Sequence, residues 1–176
     1  MLFDDIEFER VFDAAQIEHV AELARTIWTE HYIPIVGRPQ IEYMLENVQS
    51  AEAIADQIGR GWEYYLCRCE GEDCGYLAIL PQPDEGRMLL SKLYVARQSR
   101  GGGIGCRMLA FAEEQCRRRG LRLLWLTVYR GNADSIAWYE RRGFVNAGEF
   151  IQDIGGGFVM NDFKMEKVVE RGTEDD

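Results

Sequence analysis

Apolar residues recur along this chain with two periods, and the switches between them mark its elements. Partial alternation in IEFERVFD predicts a first strand. Ile17, Val20, Ala21, Ala24, Ile27 and Trp28 then fall on one helical stripe within AAQIEHVAELARTIWTEHY. Pro34, Gly37 and Pro39 predict a break after it. RPQIEYMLENV and SAEAIADQIGR predict two short helices, with Ser50 as the N-cap of the second. WEYYLCRCE and CGYLAILPQ read as an antiparallel hairpin joined by the turn GED, and GRMLLSKLYVA reads as a further strand suited to a buried sheet. A helix from Ile104 to Arg119 buries Ile104, Met108, Ala112 and Cys116 at i+4 spacing and ends at Gly120. LRLLWLTV follows this crossover helix, so it is expected parallel to the strand before it. NADSIAWYERRG predicts a short helix with Asn132 or Asp134 near its cap and Gly143 at its end. FVNAGEFIQ and GGFVMNDFKMEK close the chain as strands around DIGGG.

The order is therefore β, helices, β-β-β, helix, β, helix, β-β. It implies an α/β (α+β) fold: a mixed, mostly antiparallel sheet with one parallel strand pair, and not a doubly wound nucleotide fold. No repeat or long linker interrupts it, so 1–169 is expected as a single domain, with 170–176 a frayed acidic tail.

Composition adds limits. The 176 residues suffice for one sizeable core. No apolar run reaches the roughly 18 residues needed to cross a bilayer, and MLFDDIEFER has no signal-peptide pattern, so a cytoplasmic protein with no membrane partner is expected. The five cysteines are accordingly expected as reduced thiols. Cys67, Cys69 and Cys74 suggest a metal knuckle, but no fourth Cys or His lies near, and small buried hydrophobes on a hairpin is the plainer reading. The net charge of −10 argues against a nucleic-acid partner. It is uneven: Arg87–Arg130 holds ten Lys and Arg against Glu113 and Glu114, a net +8, and the remainder holds 10 basic and 28 acidic residues, a net −18. That distribution reads either as solvated helix faces or as a polyanion site in the middle and a cationic partner elsewhere.

The basic middle contains Arg100-Gly101-Gly102-Gly103-Ile104-Gly105, between a strand and a helix. The first N–H groups of a helix lack internal acceptors and carry the positive end of its dipole. Without β-carbons, several of them can converge on a phosphate, and Arg97, Arg100 and Arg107 add charge. The dinucleotide fingerprint fails because Met108 stands three after Gly105, and no Gly-Lys-[Ser/Thr] follows. A glycine-rich turn without a ligand is the rival reading.

The loop has a companion. R-x-x-G-x-G after a strand ending Leu-Tyr-Val comprises Arg100, Gly103 and Gly105. Some thirty residues later come Asn132, Ser135, Ile136, Tyr139, Gly143 and Phe144. Together they resemble the GNAT superfamily of acyl-CoA-dependent N-acyltransferases, and the element order from about Glu7 to Lys167 is similar too. The resemblance implies a GNAT fold with helices on both faces of the sheet and a splayed parallel pair. It implies acetyl-CoA as co-substrate, its pyrophosphate held by the backbone from Arg100 through Gly101, Gly102, Gly103 and Ile104 to Gly105. Leu93, Tyr94 and Val95 would pair through their backbone with the pantetheine arm, and one N–H would polarise the thioester. Asn132, with Ser135 in the same motif, would contact that arm or hold the strand; the rival role for Asn132 is a helix cap. Tyr139 would protonate the leaving thiolate; its rival role is core packing beside Ile136 and Trp138.

The reaction implied is direct attack of a small-molecule amine on the thioester in a ternary complex. Glu30 and His31, in the region after the first helix, are candidate bases, and plain surface residues is the other reading of each. IWTEHYIP, QIEYML, KLYV and DIGGGFVMNDFKMEK look similar to the bacterial spermidine/spermine N-acetyltransferase (PaiA-like) branch, which implies a polyamine acceptor. A protein or peptide amine as acceptor, and an acyl-CoA-binding module that transfers nothing, are the alternatives. Dimers are common in the family, so a homodimer is among the implied states.

Overall fold

The computed structural model describes residues 5–170. Of the expected acidic tail, Glu170 is exposed and 171–176 lie outside the described residues. The elements are β1 (Ile6–Arg10), α1 (Ala14–Val36), α2 (Arg38–Asn47), α3 (Ala51–Gly59), β2 (Glu63–Cys69), β3 (Glu72–Gln82), β4 (Arg87–Val95), α4 (Ile104–Arg118), β5 (Leu123–Tyr129), α5 (Ala133–Glu140), β6 (Val145–Gly155) and β7 (Phe158–Val168). The seven strands run in the sheet order β1-β2-β3-β4-β5-β7-β6. β4 and β5 are the parallel pair, as the crossover helix requires. Contacts group the chain into two compact units.

The first unit comprises the residues up to Leu80 together with Lys92–Ala110. Asp13 starts α1 through a reciprocal cap: its Oδ1 accepts from the Gln16 N–H at 2.8 Å, and Gln16 Oε1 accepts from the Asp13 N–H at 3.1 Å. Val20, Ala24, Ile27 and Trp28 of α1, Ile41 and Leu45 of α2, and Ile54 of α3 bury against Tyr64, Leu66, Tyr76 and Ala78 of β2 and β3. α1 does not stop at Pro34. It continues to Val36, because a proline removes one donor and leaves the carbonyl four residues back to solvent, which the exposed side of the helix tolerates. Glu30 and His31 consequently lie within α1, not in a loop after it. Ser50 caps α3 as expected, accepting from the Ala53 N–H at 3.2 Å.

The β2–β3 turn is the two-residue Glu70-Gly71, one position earlier than GED, with φ of 53° and 82°. These left-handed values suit a turn that follows the twist of its strands. Near this hairpin the register shifts: Cys67 pairs with Gly75 and Arg68 with Asp73, which leaves Cys74 as an extra residue in β3. Cys74 is thereby set beside Cys69, and the two form a disulfide. The expectation of five reduced thiols is corrected for this pair, since strand pairing, and not sequence spacing, brings the two sulfurs together.

The second unit comprises Pro81–Ser91 and the chain from Phe111 onward. Arg87, Met88 and Leu89 pair with Leu123, Leu124 and Trp125. β5 pairs along its whole length with β7, from Leu123↔Val168 to Tyr129↔Asp162, and β7 pairs with β6. β6 and β7 are longer than expected, and their turn narrows to Gly156-Gly157. Ala112 and Cys116 continue the buried face of α4 that begins with Ile104 and Met108. Among the described residues no helix is long and apolar enough to cross a membrane.

Candidate active site

In the first unit, the glycine loop is held at both ends. A 3-10 turn, Arg97–Ser99, follows β4. Gly101 and Gly103 then take φ of 84° and 78°, the left-handed region that only glycine adopts without strain. The Arg107 N–H donates to the Gly103 carbonyl at 3.2 Å, so the N–H groups of Ile104 and Gly105 belong to the first turn of α4, where a helix supplies no internal acceptor. Arg100 Nε donates back to the Val95 carbonyl at 3.2 Å, which ties the loop to the end of β4. The Ala96 N–H donates to the Cys74 carbonyl at 2.8 Å, anchoring the same strand end to β3. One residue on, a β-carbon at Gly75 would collide with the Tyr94 carbonyl, so β3 approaches β4 there as only a glycine permits.

Leu93, Tyr94 and Val95 lie beyond Leu89, the last β4 residue in the register with β5. The Tyr94 ring is fixed within its own unit: it lies 5.5 Å from Trp28 and 5.4 Å from Tyr76, and its hydroxyl is 3.2 Å from that of Tyr32. His31 packs edge-on to Tyr32 at 4.7 Å. Glu30 lines an open groove of about 390 Å³ with Arg25, Thr29, Ile33, Arg38 and Glu42. Lys92, two positions from Tyr94 and on the same side of the strand, is partly buried, and burial lowers its amine from 10.5 to about 8. Sequence reasoning passed over it; the available signal was a lone lysine inside Leu-Leu-Ser-Lys-Leu-Tyr-Val.

In the second unit, Asn132 is buried and caps α5, its Oδ1 accepting from the Ser135 N–H at 3.4 Å. The capping role is therefore realised, and it orients Asn132 and Ser135 together. Tyr139 is partly buried, its ring 5.0 Å from Trp138 and 5.3 Å from Phe144, both edge-on. The packing role is realised too, with the ring half-buried against Trp138.

The second unit also shows a group the sequence did not reveal. Asp162, 3% exposed, sits on β7 opposite Tyr129 of β5 and Phe150 of β6. Burial pushes its carboxyl up from 3.8 to about 6, against the opposing effects of a hydrogen bond from Thr127 and the charge of Arg130. Trp125 is on the same face, donating from Nε1 to Gln82 at 2.9 Å with Phe150 6.3 Å away. An aspartate in the middle of a strand reads as exposed, and only the pairing of three strands buries it.

Residues 19–144 match the model of the Acetyltransferase (GNAT) family. The chain belongs to this family. GNAT acetyltransferases use acetyl-CoA, and the chain is an acetyltransferase by this membership. It is 24% identical over 132 residues to an uncharacterized N-acetyltransferase in the pepI 3′ region of Lactobacillus delbrueckii subsp. lactis, covering 71% of this chain and 76% of that one. It is 34% identical over 79 residues to streptothricin acetyltransferase of Streptomyces lavendulae, covering 45% of this chain but only 42% of that one. Among solved structures, PaiA N-acetyltransferase from Thermoplasma acidophilum, in complex with coenzyme A, shares the GNAT fold at a TM-score of 0.74 and 23% identity, over 93% of this chain and 99% of that one.

Proposed function

We propose that this GNAT protein transfers an acetyl group from acetyl-CoA to a primary amine by direct attack in a ternary complex, and that the acceptor is a polyamine. The observation that carries the first part is the start of α4, where Gly101 and Gly103 take left-handed backbone in open space and Gly105 adds no side chain to the first helical turn. Pyrophosphate charge is stabilised by such N–H groups and by the helix dipole. The backbone of Leu93, Tyr94 and Val95 pairs with the pantetheine arm, and Asn132 and Ser135 contact it. Tyr139 donates a proton to the departing thiolate.

The polyamine reading is supported by the net −18 outside the basic segment and by the fold shared with PaiA N-acetyltransferase. Release of free thiol from acetyl-CoA, read with a thiol dye across spermidine, spermine, lysine peptides and an aminoglycoside, tests both parts. Release with polyamines alone is expected. Release with peptides alone replaces the acceptor class. Acetyl-CoA binding with no release from any amine favours a module that binds without transferring.

A further inference from the structure

The β2–β3 hairpin gathers three sulfurs that acetyl transfer does not use. Cys67 and Cys69 are two apart on β2 and so share a face of the strand. The extra residue in β3 brings Cys74 to the same face. The three Sγ atoms all lie within 4.8 Å of one another, with 3.4 Å between those of Cys67 and Cys74. All three residues are buried, at 0%, 3% and 1% exposure. Such a set is more than a disulfide needs, because Cys67 remains a free thiol against the bonded pair.

We propose that the reduced hairpin is a binding site for a soft monovalent metal ion, Cu(I), held by the three thiolates of Cys67, Cys69 and Cys74. The donor set decides the class of ion. Sulfur donors select soft cations over magnesium, calcium or manganese. A closed zinc site takes four ligands in a tetrahedron, and among the described residues no fourth Cys, His, Asp or Glu joins this group. Cu(I) accepts thiolate donors without a fourth protein ligand, and the burial of the sulfurs keeps water from competing.

The steps balance. A dithiol reductant delivers two electrons and two protons to the Cys69–Cys74 disulfide and becomes a disulfide itself. Cu(I) then displaces one proton from each of three thiols as three sulfur–copper bonds form. The oxidised hairpin has only one thiol to offer and does not hold the ion.

The test is a titration of the full chain, reduced with a dithiol, desalted and kept anaerobic, with Cu(I) supplied from a coloured chelator. One Cu(I) per chain is expected, with a thiolate-to-copper absorption band in the near ultraviolet. Cys67→Ser leaves the disulfide pair intact and should weaken binding on the order of 100-fold, the upper end of what disturbing even a supporting residue costs a metal site. The double variant Cys69→Ser/Cys74→Ser reads the same loss from the other two donors, should either variant fold poorly. Cys106→Ser, at an exposed position, should leave copper uptake unchanged. Wild-type affinity in both ligand variants, equal binding by the oxidised chain, or stoichiometric displacement of Cu(I) by Zn(II) would each overturn the assignment.

Discussion

Glycine stands at 103 and at 105 for different physical reasons, and the difference makes a test. Gly103 has φ of 78°, so its backbone demands glycine. Gly105 lies inside α4 and is absent from the left-handed set, so its backbone conformation does not require glycine. Gly105→Ala should fold with little loss, whereas Gly105→Asp should fold yet lose acetyl-CoA binding in calorimetry, because a carboxylate opposes the pyrophosphate. Normal binding by Gly105→Asp would remove the loop from the site. Tyr139→Phe separates chemistry from packing, since the ring against Trp138 and Phe144 is kept. Acetyl-CoA affinity should hold while turnover falls by roughly 10²-fold; unchanged turnover would leave Tyr139 as packing alone. At Asp162 the folded-state value of about 6 lies above the ordinary 3.8. The protonated form is thus favoured by the fold, and its stabilising effect is complete below 3.8 and lost as pH rises through 6. Asp162→Asn has no charge to bury, so its melting temperature relative to wild type should climb between about pH 4 and about pH 7. A constant melting difference would show that the carboxyl is not perturbed.

α5 is short, and its N-cap is a proposed acetyl-CoA contact. Asn132→Ala should cost about 1 kcal/mol of stability by denaturant unfolding if capping is its only work. Asn132→Ser still caps, so a loss of acetyl-CoA affinity in Asn132→Ser with stability preserved would isolate the binding role. Preserved affinity in both variants would reduce Asn132 to a cap. Most elements were legible because their signals are local: the α1 stripe, the Ser50 cap, the glycine ends of α4 and α5, and the strand–glycine–helix order around Arg100. The rest depended on pairing between distant segments. α1 passes Pro34 because the lost hydrogen bond faces solvent, which no local rule announces. Cys74 meets Cys69 through a register shift, and Asp162 is buried by strands on both sides of it. The loop half of the candidate site was therefore readable as a pattern, while the burial of Asp162 was not.

On the scale of the whole chain, charge is the property that bears on partner choice. The segment Arg87–Arg130 carries a net +8 and the remainder a net −18. If the acidic remainder draws in a polycation, the attraction should grow with the number of charges on the acceptor and fade as salt screens it. Between roughly 0.01 M and 0.15 M salt the Debye length shrinks from about 30 to about 8 Å, so distant surface charges drop out of the interaction. KM for the tetra-amine spermine should therefore rise more steeply with salt than KM for the tri-amine spermidine, and that for a monoamine should scarcely move. Turnover at saturating amine should stay level, because screening acts on encounter and binding rather than on the proton transfers within the complex. KM for acetyl-CoA should rise as well if its phosphates meet the basic segment as proposed. Salt slopes for the three amines that coincide would mean the acidic surface plays no part in selecting the acceptor, and the polyamine reading would then rest on the fold shared with PaiA N-acetyltransferase alone.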